Sequence, residues 1–239
     1  MSIMALHDKI TNFLDKNAFT TLFVLAITTL VIVNYCFGSD DDSNDSEKKP
    51  AASSTDDLVA LDKQIYTEFK LVEKIQANHN TVRLQFATPH HNQVLGLSLG
   101  QCISVRVVDS TGKPAVRSYT PISPLLQRGS FELLVKVYPT GIVSSHLGAM
   151  EVGQYLAARG PRGNYKYEPN SKDLVLLIAG GSGITPMYQV LQHVLQDPKD
   201  TTKFVLIFAN VTLPDILLKE EIDVLAAQFP NRLEVIYFL

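Results

Sequence analysis

The stretch Leu174 to Met187, LVLLIAGGSGITPM, constrains the fold of this chain more than any other. It opens with a continuous apolar run over 174–179, too short to cross a membrane and rich in branched side chains, as in a strand buried on both faces. Gly180, Gly181 and Gly183 then break the strand, and Thr185-Pro186 opens an amphipathic segment that reads as a helix over 185–196. The pattern repeats: FVLIFAN over 204–210 reads as a strand, 216–229 as a helix, and LEVIYFL over 233–239 as a third strand. Apolar strands alternating with helices imply βαβ units and a parallel sheet. A chain of 239 residues, 46% hydrophobic, has ample material for such a core and for a second domain.

That second domain lies upstream, over 58–170, where the period changes. VRLQFA, CISVRVVDS, FELLVKVY and QYLAARG are short β-type runs. Between them, Ser110–Lys113, Gln127–Ser130 and the tight Gly160–Tyr165 segment carry turn residues. Several such strands in about 110 residues predict a small antiparallel barrel or sandwich. The parallel-sheet block then occupies 171–239.

The first 57 residues are of another kind. After a leader over 1–18, residues 19–38 (FTTLFVLAITTLVIVNYCFG) hold no charge. About twenty apolar residues are the length of a transmembrane helix. Asp8 and Asp15 in the leader, and the lack of a small-residue cleavage pattern, favour an uncleaved anchor over a signal peptide. Residues 39–57, SDDDSNDSEKKPAASSTDD, carry no aromatic or branched aliphatic side chain and read as a solvated linker. A flexible linker of that length spans roughly 24 Å.

The formal net charge of −3 hides a series of blocks: −5 over 39–57, +5 over 58–170 and −3 over 171–239. Such asymmetry bears on partners. No dense Lys/Arg cluster interleaves with aromatics, so nucleic acid is excluded as a partner class. Two cysteines, Cys36 and Cys102, supply neither a disulfide scaffold nor a four-thiolate metal site, and no metal is expected.

Four segments carry chemistry. Glycines at the end of a buried strand let backbone approach a ligand, and the following helix N-terminus presents N–H groups to phosphate. The segment is neither a G-x-G-x-x-G fingerprint nor a P-loop, and an ordinary strand-to-helix turn explains it equally well. In Arg117-Ser118-Tyr119-Thr120-Pro121-Ile122-Ser123, an extended backbone puts Arg117 and Tyr119 on one face. There the guanidinium can grip a phosphate while the ring stacks on a flat heterocycle; taken alone, a surface arginine beside a structural tyrosine is the commoner case. Tyr138 to Leu147 turns out of a strand into a short helix, with Ser144 or Ser145 as its cap and a second N-terminus for phosphate. Gly160-Pro161-Arg162-Gly163 is the fourth.

In this order and on this architecture, these segments resemble the NADH-cytochrome b5 reductase family, within the ferredoxin-reductase-like flavoenzymes. The family's Arg-x-Tyr-Thr-x-x-Ser motif stands here as RSYTPIS and its Gly-Gly-x-Gly-Ile-Thr-Pro-Met motif as GGSGITPM. Val135–Tyr138 matches its Val-Lys-Val-Tyr strand, Gly160–Gly163 its Gly-Pro-x-Gly turn, and FANVTLPDILLKEEID over 208–223 the stretch after the second nucleotide-domain strand. The resemblance covers about 65–239 and implies an antiparallel β-barrel that binds FAD, followed by an α/β domain for NADH.

By matching position, Arg117 would hold the flavin pyrophosphate and Tyr119 would pack on the isoalloxazine. Ser118, Thr120, Lys136, Val143 and Ser144 would line the FAD. Thr185 would reach the flavin, while Gly180, Gly181, Gly183 and Met187 would shape the nicotinamide nucleotide site. His79, in NHNTVRL, falls where the family carries a histidine near the flavin; alone, a histidine before a strand is more often structural. Thr185, Tyr119 and His79 are thus the implied catalytic set. The resemblance further implies cytochrome b5 or a similar small haem protein as acceptor. It places the anchor in the endoplasmic reticulum or mitochondrial outer membrane, with the enzyme facing the cytosol.

The sequence departs from the family at Ile142, where a basic residue is usual, and at Pro139, where an aromatic is usual. It also ends before the family's Cys-Gly-x-x-x-Met segment and before the acid that follows the third strand. A three-strand parallel sheet with uncovered edges reads as an incomplete nucleotide domain. Two other readings are a nitrate-reductase-like flavin module and a truncated, non-catalytic flavin-binding or interaction protein.

Overall fold

The computed structural model describes residues 58–239. The expected leader, transmembrane anchor and acidic linker over 1–57 lie outside the described residues. Among the described residues no helix is long and apolar enough to cross a membrane. They form two compact units, one holding 58–168 with Thr185–Asp197, the other Pro169–Ile184 with Pro198–Leu239.

The first unit is built on strands β1 (Thr67–Asn78), β2 (Thr81–Ala87), β3 (Cys102–Val108), β4 (Pro114–Tyr119), β5 (Ser130–Lys136) and β6 (Tyr155–Arg162). They pair antiparallel in the order β4-β3-β6-β1-β2-β5. Alternation sets the core: Val82, Leu84 and Phe86 of β2, Ile103, Val105 and Val107 of β3, and Phe131, Leu133 and Val135 of β5 are buried at every second position. Phe131 lies edge-on to Phe69 at 5.0 Å and stacks on Phe86 at 5.4 Å, which knits β1, β2 and β5 together.

The expected closed barrel is not found, because β4 and β5 end the sheet with no ladder between them. What joins these edges is the segment after β4. Ile122 N–H donates to the Glu132 carbonyl at 2.9 Å, and Glu132 N–H donates to Ser123 Oγ at 3.1 Å. Pro121 interrupts the donor pattern there, so β4 cannot run on as a strand.

Helix α1 (Ile142–Ala149) packs on β3, β4 and β5. Its last carbonyls find a cation from a distant strand: Lys74 Nζ of β1 donates to Gly148 O at 2.6 Å and Met150 O at 3.0 Å. Helix α2 (Ile184–Val194) is buried on most of its circumference, with Ile184, Leu191 and Val194 at most 2% exposed.

In the second unit, β7 (Leu174–Gly180), β8 (Lys203–Ala209) and β9 (Leu233–Phe238) form a parallel sheet in the order β7-β8-β9. The expected second helix is shorter than 216–229. A 3₁₀ turn over Leu213–Asp215 precedes it, and Leu218 takes a left-handed φ of 56°, so α3 runs over Lys219–Gln228. Tyr237 of β9 donates to Asp223 of α3 at 2.8 Å, and Lys219 lies over the Tyr237 ring at 5.0 Å.

Candidate functional site

The register of β3 and β4 settles where the Arg-Ser-Tyr residues point. Arg117 pairs with Val105 and Tyr119 with Ile103, both core residues, so Arg117 and Tyr119 share the inner face of an edge strand. Tyr119 packs against the core, while Arg117 stands exposed beyond it. Arg117 donates to the Val116 carbonyl at 2.7 Å, which leaves most of its donor fork facing outward. Burial pushes the Tyr119 phenol up to about 12, against the pull of the Arg117 charge and with a smaller push from Tyr138. Arg117, Tyr119 and Tyr138 therefore form one electrostatic cluster. Ser118 pairs with Ser104 and lies on the other face, away from this cluster. Thr120 follows, 7% exposed.

The turn from β5 into α1 supplies a second element. Ser144 does not cap the helix as expected, nor does Ser145; the cap position is Gly141, without a side-chain bond. Both serines lie inside the first turn and fasten it back to Tyr138. Tyr138 N–H donates to Ser144 Oγ at 3.2 Å, and Ser145 Oγ donates to the Tyr138 carbonyl at 2.8 Å. The first helical bond runs from Ser145 N–H to Gly141 O at 2.8 Å, so the N–H groups of Ile142, Val143 and Ser144 precede it. Val143 is 3% exposed and sits in the core, so its contribution to a ligand is through the backbone.

Lys136 closes β5 one position after core residue Val135, hence on the opposite face, and pairs with Thr81. His79 stands exposed in the β1–β2 turn, with Nε2 2.9 Å from the Asn80 amide nitrogen. Val137 N–H donates to Asn80 O at 2.7 Å, so the His79 turn and the Lys136–Tyr138 segment are neighbours at one end of the sheet.

The glycine-rich segment takes the expected strand–turn–helix form, with a difference at its start. Gly180 ends β7 in extended conformation, and Gly181, at φ +49°, opens a 3₁₀ turn over Gly181–Gly183 that leads directly into α2. Thr185 is therefore the second residue of α2 rather than its first, 8% exposed, and Met187 is half-buried. Gly180 pairs with Ala209 at the carboxyl end of the parallel sheet, the edge where open α/β sheets bind ligands. The Gly160–Tyr165 segment is no tight turn at its start: Gly160–Arg162 completes β6, and the chain bends at Gly163, φ +108°.

The donor set fits a flavin dinucleotide. A forked cation, a neutral aromatic ring beside it and the N-terminus of a helix packed on the same strands are complementary to a pyrophosphate joined to a flat ring system. Among the described residues no His/Cys/Asp/Glu group could hold a metal ion.

Sequence reasoning missed the Glu132–Ser123 junction and Gln189. The signal for Gln189 was an amide set among the apolar Tyr188, Val190 and Leu191 in the helix that follows the glycine turn.

Comparison with known proteins bears on the whole arrangement. Residues 68–167 match the oxidoreductase FAD-binding domain family, and residues 177–239 the oxidoreductase NAD-binding domain family. An NADH-cytochrome b5 reductase 1 of Dictyostelium discoideum is 40% identical over 92% of this chain and 77% of its own. An Arabidopsis thaliana NADH-cytochrome b5 reductase 1 is 44% identical over 78% of this chain and 66% of its own, so the matched stretch spans about two thirds of that relative. The crystal structure of the cytochrome b5 reductase domain of Ulva prolifera nitrate reductase superposes with a TM-score of 0.69 at 34% identity, covering 74% of this chain and 75% of that one. With the flavin-type sheet and the glycine turn carrying the family's motifs, this chain belongs to the NADH-cytochrome b5 reductase family of oxidoreductases.

Proposed function

We propose that this chain is a membrane-anchored, FAD-containing reductase that takes electrons from NADH and passes them to cytochrome b5 or a similar small haem-protein acceptor. The observation that carries the reading is the shared inner face of Arg117 and Tyr119 on β4, with α1 packed on the same strand. Bound FAD supplies the conversion of a two-electron hydride donor into one-electron delivery. The chain supplies placement. Arg117 binds the pyrophosphate, and the N–H groups of Ile142, Val143 and Ser144 add donors to it. Tyr119, held neutral by burial, offers a ring face and a phenol that keeps its proton. Thr120 continues from Tyr119 at the end of β4, and the Lys136–Tyr138 segment, next to the His79 turn, joins the site through Tyr138. Ser118 acts through its backbone, because its side chain faces away.

Gly180, Gly181 and Gly183 leave room for the nicotinamide nucleotide at the carboxyl edge of the parallel sheet. Thr185 and Met187 follow on the first turn of α2. The uncharged run over 19–38 supports anchoring, and family membership supports an endoplasmic reticulum or mitochondrial outer membrane site facing the cytosol. The same run favours this reading over a nitrate-reductase flavin module.

The visible spectrum of the purified protein tests the proposal. Flavin absorbance is expected, together with bleaching by NADH without oxygen. A colourless protein rejects the flavoenzyme, and bound flavin that NADH fails to bleach leaves a non-catalytic flavin protein. Arg117→Ala removes a charge-assisted contact of about 1.5–3 kcal/mol, so FAD should bind roughly 10- to 150-fold more weakly. Undiminished flavin content would refute the pyrophosphate assignment.

A further inference from the structure

Helix α2 carries one polar side chain that its surroundings do not require for solubility. Gln189 is 2% exposed, on a helix whose neighbours Tyr188, Val190 and Leu191 are all buried. An unpaired amide there would be costly, and it is not unpaired. Its Oε1 accepts from Gly100 N–H at 2.8 Å, and its Nε2 donates to the Gln101 carbonyl at 3.1 Å. Both partners are backbone groups of the turn that leads into β3, the strand whose ladder holds Arg117 and Tyr119.

That turn is itself fixed. Gln101 accepts from Ser98 N–H at 2.8 Å and donates to Gly163 O at 3.2 Å. Gly100 sits at φ +78°, where a Cβ would come within 2.4 Å of the Tyr165 ring. The bracket therefore grips a rigid knot made from both strands at one end of the β3–β6 pair, where β3 begins and β6 ends. Gln189 lies four residues after Thr185, one turn along the same helix face. Only a neutral primary amide answers both partners. A carboxylate would oppose the Gln101 carbonyl, and a thioether would answer neither.

We infer that Gln189 is a positioning residue: its two-point bracket on Gly100 and Gln101 sets the first turn of α2, and with it Thr185, against the flavin-binding sheet. This rests on the flavin reductase reading. Its two hydrogen bonds go to backbone groups, and it takes no part in chemistry. A displacement near 1 Å at a reacting centre costs on the order of a hundredfold in rate.

The test uses the full-length holoprotein with Gln189→Met, close in volume, and Gln189→Glu, which keeps the acceptor. Rates of flavin bleaching by NADH are measured in single turnover, per bound flavin. The expected result is a fall of about 10- to 100-fold for Gln189→Met and a smaller fall for Gln189→Glu. The NADH concentration at half-maximal rate should stay within about threefold, and reoxidation of dithionite-reduced flavin by a small acceptor should be unchanged. Unaltered bleaching in both variants, with or without a lower melting temperature, overturns the inference and leaves the flavoenzyme standing. Loss of flavin and fold together in both variants makes Gln189 purely structural and also overturns it. Failure of NADH to bleach the unsubstituted protein rejects the reductase reading and this inference with it.

Discussion

Tyr119 shows how a single position can serve two purposes. Its ring seals the margin of the core next to Ala115 and Val137, and its phenol faces the Arg117 and Tyr138 cluster. Burial raises its proton affinity to about 12, above the value near 10 of an unfolded chain. The sign follows from linkage. The neutral phenol is favoured in the fold, so this stabilisation is fully present below pH 10 and is lost as pH rises from 10 through 12. Two units correspond to on the order of 2 kcal/mol. Tyr119→Phe should therefore flatten part of the alkaline fall in unfolding free energy measured between pH 9 and 12. Tyr237, also raised by burial and by its bond to Asp223, accounts for a remaining slope. Identical alkaline profiles for the two proteins would show that Tyr119 ionises freely. The site motif was legible in the sequence at this scale, and the one-face placement of Arg117 and Tyr119 holds. Ser118 and Lys136 were not legible as outward-facing, because a motif names positions and the ladder register decides faces.

Among elements, the strands that sequence reasoning missed are those with least to bury. In β1, TEFKLVEKIQAN, Phe69 and Leu71 alone are buried, and the rest alternates charge with exposed Val72 and Ile75. β4 begins at Pro114 on the sheet edge, where a missing donor costs nothing and no apolar run is needed. Helix α3 starts late because the left-handed Leu218 sets its beginning, a backbone feature no propensity reveals. Local propensity and packing also disagree at Gly148 in α1. Alanine should favour a helix interior by about 1 kcal/mol. Here, however, a Cβ would meet Val137 Cγ2 at 2.7 Å and Cγ1 at 3.0 Å. Overpacking of that kind costs about 1–3 kcal/mol, so the clash should win. Gly148→Ala is expected to destabilise the protein in denaturant titration by about 1 kcal/mol. In a Val137→Ala background the same change should become neutral or stabilising. A stabilised single variant would mean that α1 can shift on β5 at little cost.

At the scale of the whole molecule, charge is distributed by block. The flavin-binding block over 58–170 carries +5, while the linker before it and the parallel-sheet block after it carry −5 and −3. A net charge of −3 would repel an acidic protein, yet an acidic acceptor approaching the basic block meets the opposite sign. At low salt the attraction between the basic block and an acidic surface facing it reaches about 30 Å, whereas at physiological salt it is screened beyond about 8 Å. Two outcomes then separate. If the acceptor docks on the basic block, kcat/KM for an acidic haem-protein acceptor should fall roughly tenfold as ionic strength rises from about 0.01 to 0.15 M, because steered association weakens with screening. A neutral quinone acceptor, which feels no steering, should change by less than about twofold over the same range. A rate that stays flat or rises with salt for the haem protein would place its docking on an acidic or neutral surface instead. The comparison isolates docking, because both acceptors draw on flavin reduced by the same donor at the same ionic strength.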